Sequence, residues 1–168
     1  MDIFIQQVVN GLVLGCIYAL IALGYTMVYG ILGIINFAHG DVLMVGALTA
    51  LSAILGLQYL FPGMPQWLML VVSTLIAMPV CAFLSYGIER VAYRPLRNAP
   101  RLAPLITAIG ISIILQTLAM IIWSRNPLIF PTLLPSSPID IFSTGAVITG
   151  KEIVIIVLSF IVMVGLLL

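Results

Sequence analysis

Tyr29-Gly30-Ile31-Leu32-Gly33-Ile34-Ile35-Asn36-Phe37-Ala38-His39-Gly40-Asp41-Val42-Leu43-Met44 is the stretch on which the reading of this chain turns. No Asp, Glu, Lys or Arg occurs in residues 3–40, and none in residues 42–88. Between these apolar blocks stand the single His of the chain, His39, and one of its five acidic residues, Asp41. An ionisable group near bilayer depth is costly, so it faces a cavity or a partner rather than lipid.

Composition agrees with a bilayer environment. Of 168 residues, 63% are hydrophobic and 7% charged, with mean hydropathy +1.31. A soluble domain carries about 25% charged residues, so this chain cannot clothe a water-facing surface. Continuous apolar runs, without the alternation of outer-membrane strands, predict an all-α, polytopic transmembrane helical bundle. A net charge of +1 with no basic block argues against a nucleic-acid partner. Cys16 and Cys81 lie inside apolar runs and do not read as a disulfide framework. Val13-Leu14-Gly15-Cys16 loosely matches a lipoprotein cleavage box, but the N-terminus lacks the basic residues of a signal peptide.

Five spans follow from the requirement for about 20 mostly apolar residues: residues 5–35, 42–60, 67–88, 104–123 and 153–168 onward. The first exceeds one crossing and leaves room for a crossing plus a half-helix. Phe61-Pro62-Gly63-Met64-Pro65 closes the second. Trp67 and Trp123 sit where interfacial aromatics belong. The last run falls short of a full crossing, so the chain is expected to continue past Leu168, making residues 1–168 the N-terminal part of a permease-like membrane domain.

Residues 89–101 hold Arg90, Arg94, Arg97 and Arg101, four of the six basic residues. Short basic loops stay cytoplasmic, which places the N-terminus, the 61–66 turn and residues 125–151 outside. That outer loop, with Pro127, Pro131, Pro135 and Pro138, reads as irregular, either a spacer or a docking surface.

Gly11, Gly15 and Ala19 form a small-residue ridge suited to close helix packing. Ser112 and Gln116 share a face of the fourth span, as interhelical glue or as the wall of a polar path. Pro79 is expected to bend the third span. Within residues 36–41, Asn36, Phe37, His39, Gly40 and Asp41 are the candidate pathway or helix-break residues. Gly30, Gly33 and Gly40 would let the backbone leave the helix, and Asp41 would cap a helix starting at Val42. One His and one nearby Asp are too few for a metal. No Gly-x-Ser-x-Gly or His-Glu-x-x-His pattern points to catalysis. A self-satisfied turn and a break lining a solute path remain open.

Gly11-x-x-x-Gly15-x-x-Tyr18-Ala19-Leu20-Ile21-Ala22-Leu23-Gly24-Tyr25-Thr26-Met27-Val28-Tyr29-Gly30, followed by Asn36-Phe37-Ala38-His39-Gly40, resembles the N-terminal signature of the LivH-type permeases of high-affinity branched-chain amino acid ABC transporters. Ile88-Glu89-Arg90-Val91-Ala92-Tyr93-Arg94-Pro95-Leu96-Arg97 and the run from Leu105 to Gln116 resemble the same family. The resemblance implies a bacterial inner-membrane subunit paired with a second related permease, two ATP-binding subunits and a periplasmic substrate-binding protein. It implies that the chain binds no cofactor and catalyses no bond chemistry, ATP-Mg being held by the partner subunits. No Walker-type Gly-x-x-x-x-Gly-Lys-Ser/Thr run occurs. It further implies a permease of about twice this length, with the ATPase-coupling loop beyond Leu168. A related permease for urea, short amides or other amino acids is the alternative, and an ATP-independent channel or a membrane-embedded enzyme the more distant one. The orientation is checked by Leu96→Cys in a chain with Cys16 and Cys81 replaced by Ala. A membrane-impermeant thiol reagent should label it in inverted vesicles and leave it untouched in intact cells.

Overall fold

The computed structural model describes residues 2–33, 36–96, 99–100, 102–133, 138–141 and 146–167. These form five α-helices and one β-hairpin: α1 Asp2–Leu32, α2 His39–Leu60, α3 Gln66–Ile88, α4 Leu102–Ile122, β1 Pro138–Ile141, β2 Ala146–Thr149 and α5 Gly150–Leu167. Four segments are long and apolar enough to cross a membrane: Ile3–Gly30, His39–Leu60, Gln66–Leu96 and Leu102–Ile122. The chain divides into two compact units, one made of Met1–Ile31 with Leu134–Leu168, the other of Leu32–Leu133.

In the first unit, α1 is one continuous helix of 31 residues, roughly 46 Å long at 1.5 Å per residue. This corrects the expectation of a crossing plus a half-helix within residues 5–35. The helix stops at Gly33, whose φ of 65° is the left-handed conformation that ends helices and that glycine adopts without a Cβ penalty. Gly30, by contrast, remains inside α1.

Residues 125–151 are also more regular than their prolines suggested. β1 and β2 pair antiparallel, with Ile139 opposite Ile148 and Asp140 opposite Val147. Pro138 opens the first strand, the position where a missing N–H does least harm. An isolated two-stranded ribbon is marginal, and here a side chain extends it. Gln6 of α1 accepts from the Val147 N–H at 2.8 Å and donates to the Val147 carbonyl at 3.1 Å, so one amide stands in for a third strand. At the start of α5, Glu152 accepts from the Thr149 N–H at 2.7 Å. Thr149-Gly150-Lys151-Glu152 thus carries the return half of a capping box.

The second unit is built on the α2–α3 hairpin. Its turn is enforced by Pro62, Gly63 and Pro65, the last holding the extended ψ of 138° from which α3 departs. The two helices approach most closely at Gly46, where an added Cβ would lie 2.7 Å from the Cys81 Sγ. That thiol in turn points at the Val42 carbonyl, 3.7 Å away. Small residues line the contacts (Ser73, Ala77, Ala108 and Ala119 are buried), whereas large apolar ones face outward, Phe83 at 77% and Ile121 at 74% exposed. Small inside and large outside is the pattern expected where lipid solvates the outer face. Hydroxyls in the spans turn back onto their own helix, as Ser73 and Thr74 do onto the Leu70 carbonyl, leaving no bare donor toward hydrocarbon.

Beyond Ile88 the helical path continues. A π turn over Glu89–Tyr93 and a 3₁₀ turn over Arg94–Leu96 follow without a break. Arg90 and Arg94 therefore sit on a helical extension of α3, not in a loop, while Arg97 and Arg101 lie outside the described residues. Apolar contact explains the difference: the π turn lies against α4 and buries Tyr93. Pro79 stays within the helix despite the backbone bond it removes.

Gly46→Ala should force the hairpin apart or rotate the thiol, costing about 1–3 kcal/mol as an overpacked contact. Adding Cys81→Ala should recover most of that loss. A thermal-unfolding double-mutant cycle on the detergent-solubilised protein measures both.

Candidate functional site

The polar break at the start of α2 is organised by two hydrogen-bonded anchors. The first is Asn36. Its Oδ1 accepts from the Ala38 N–H at 3.0 Å and from the Tyr93 hydroxyl at 2.7 Å. The local bond is an Asx turn, in which the side chain mimics a backbone turn. With the Asn36 carbonyl accepting from the His39 N–H at 3.1 Å, it starts the helix. The long-range bond ties that start to the π turn below α3. Ala38 is 0% exposed and Tyr93 5%, so this joint is closed to solvent.

The second anchor is Asp41. The helix begins at His39, with Ala38 as its N-cap and no side-chain capping bond. His39, Gly40 and Asp41 are therefore helical, which corrects two expectations: Gly40 does not release the backbone, and Asp41 does not cap. Asn36 takes over the capping chemistry from three residues upstream of His39. Freed from that task, the Asp41 carboxylate accepts from the Gln116 Nε2 at 2.9 Å. The same amide nitrogen donates to the Ser112 Oγ at 3.2 Å, so the shared face of Ser112 and Gln116 is used as interhelical glue.

Depth distinguishes the two anchors. Gln116 lies about 21 Å along α4 from its start at Leu102. Asp41 is consequently level with the interior of an apolar span rather than with its end, and it is 8% exposed. Phe37 is half-exposed beside this break.

Next to Asp41 and Gln116 a cleft of about 470 Å³ opens between α2, α4 and the chain that follows α4. Met44, Leu48 and Leu51 form one wall and Gln116, Ala119 and Met120 the other. Ser124, Asn126, Leu128 and Phe130 cover part of it. At the mouth, the Trp123 indole donates to the Ser52 Oγ at 2.6 Å, tying the end of α4 to the middle of α2. The cleft can hold a small aliphatic group beside acceptor oxygens.

Sequence reasoning thus named Asn36, Phe37, His39, Gly40 and Asp41 and the face of Gln116, but not Tyr93. A Tyr inside an Arg-rich stretch has an obvious interfacial role, and only the helical continuation past Ile88 shows that it reaches back to Asn36. The small-residue ridge is separate from this site: around Gly11 and Gly15 no atom comes within 4 Å of an added Cβ. Arg90 donates to the Tyr86 hydroxyl at 2.7 Å, with its guanidinium 5.9 Å from that ring's centre. No group of three or more His, Cys, Asp or Glu side chains able to hold a metal occurs among the described residues, and Cys16 and Cys81 are free thiols.

Apolar spans with small residues at their contacts and a polar break held at depth define a multi-pass membrane protein. Residues 7–168 match the family described as branched-chain amino acid transport system / permease component, and the chain belongs to that family. It is 47% identical over 166 residues to the high-affinity branched-chain amino acid transport system permease protein BraD of Pseudomonas aeruginosa. It is 42% identical to the permease protein LivH of Salmonella typhimurium and 41% to that of Escherichia coli K12. Each comparison covers 97% of this chain and 53% of the relative, so the chain spans about half the length of these relatives. No solved structure matches it.

Tyr93→Phe should cost about 0.5–1.5 kcal/mol, the net worth of one hydrogen bond. Gln116→Leu should cost about 1–3 kcal/mol or more, because it strips a buried carboxylate of its donor. Thermal unfolding of both variants in detergent tests the order.

Proposed function

We propose that this chain forms part of the membrane-spanning subunit of an ATP-driven importer that carries branched-chain amino acids (leucine, isoleucine, valine) across the bacterial inner membrane. The observation that carries this reading is the family match over residues 7–168, with relatives whose names specify that transport. The polar break supplies a physical basis. A translocating membrane subunit needs a place where polar groups survive at bilayer depth, and irregular backbone is tolerated there only beside protein or a cavity. Residues 36–41 sit at such a place.

In this reading Asn36, Phe37, His39 and Asp41 shape the break beside the solute path. Gly11, Gly15 and Ala19 offer a close-packing ridge to another helix. Arg90, Arg94, Arg97 and Arg101 mark the cytoplasmic face. The working assembly contains a second related permease, two ATP-binding subunits and a periplasmic binding protein. ATP and Mg²⁺ are bound by the ATP-binding subunits, and this chain binds no cofactor.

The complete gene, returned to cells lacking their own leucine importer, should restore leucine uptake. Asn36→Ala removes the acceptor of two hydrogen bonds and should lower uptake roughly tenfold. His39→Ala should lower it as well, both at unchanged membrane abundance. Normal uptake by both variants would remove the break from the path. Restored uptake of urea or short amides, and not of leucine, would replace the solute assignment.

A further inference from the structure

Asp41 carries a charge whose compensation the fold leaves incomplete. It is 8% exposed, it lies beside the apolar interior of α4, and its side-chain partner among the described residues is the neutral amide of Gln116. No cation pairs with it among the described residues. An ionised carboxylate removed from water is strongly disfavoured unless paired, and one neutral donor offsets only a fraction of that cost. Gln116 is oriented in a telling way. Its Nε2 is committed to Asp41 and Ser112, which leaves the Oε1, an acceptor, without a partner among the described residues. A carboxylate and an amide oxygen together form a receptor for a group that only donates. A primary ammonium, with three N–H donors and a positive charge, fits that description. An anion does not.

The adjoining cleft sets the rest of the ligand. Gln116 is part of its wall, and Met44, Ala47, Leu48 and Met120 give it an aliphatic lining. Its volume of about 470 Å³ accommodates a branched side chain of four carbons.

We infer that Asp41 and Gln116 receive the ammonium of the transported amino acid, and that the α2–α4 cleft takes its aliphatic side chain. The site rests on the permease reading above and deepens it, because selection by charge and size then occurs within this subunit as well as outside the membrane. Asp41→Asn is the sharpest variant: the Asn carbonyl still accepts from Gln116, so shape is kept and charge is lost.

The test is uptake of radiolabelled leucine and valine by proteoliposomes holding the complete transporter, with permease content measured by immunoblot. Asp41→Asn should lower leucine uptake at least about tenfold, the order expected for losing a charge-assisted contact, and Asp41→Glu should recover part of it. Ala47→Leu, which adds three carbons to the cleft wall, should raise the valine-to-leucine uptake ratio about fivefold. Wild-type uptake by Asp41→Asn, equal loss in the Asn and Glu variants, or an unchanged ratio in Ala47→Leu would each overturn the inference while leaving the permease reading standing. Failure of the wild-type transporter to take up either amino acid would remove both.

Discussion

The hydrogen bond from the Gln116 amide to Asp41 is the interaction on which the second unit depends. A carboxylate lodged opposite the apolar stretch of α4 cannot be solvated by its surroundings, so a neighbouring helix must supply the donor. That donor fixes the rotation of both helices: Asp41 must face α4, and Gln116 must face α2. Once they do, the small residues of α4, Ala108 and Ala119, turn inward and Ile121 turns outward. The Ser52–Trp123 bond repeats the arrangement farther along the same two helices. Polar pairing sets the geometry, and apolar burial fills in around it.

The Asn36 joint performs the complementary task. Where α1 has ended and α2 has not begun, several backbone groups lack helical partners. One side-chain oxygen meets a local amide and a distant hydroxyl together. The entry to α2 is thereby coupled to the far end of α3, across 57 positions of sequence. Movement of the π turn that carries Tyr93 would be felt at the polar break without passing through lipid-facing residues.

Much of this was legible from composition and spacing. Charge-free runs locate the spans to within a few residues, because hydrophobic length is a strong signal. The proline-rich 61–65 turn and the shared face of Ser112 and Gln116 were equally readable. What escaped depended on long-range contact. Asp41 has all the properties of a cap, and Asn36, which pre-empts it, is recognisable only once the Asx turn is seen. Residues 89–96 look like a loop because their arginines are charged, yet the buried Tyr93 carries the helix onward. The hairpin of β1 and β2 was hidden by its prolines and is completed by Gln6 from the other end of the chain.

The wide turn at Glu89–Tyr93 has an implication for how this segment tolerates change. The Arg94 N–H bonds the Glu89 carbonyl, five residues back, so the turn accommodates one more residue than an α turn would. Deleting a single residue from it would restore ordinary winding and swing everything downstream by about a quarter turn. Hydropathy and charge would scarcely differ, yet Tyr93 would face away from Asn36. In this stretch, length by itself is a functional parameter.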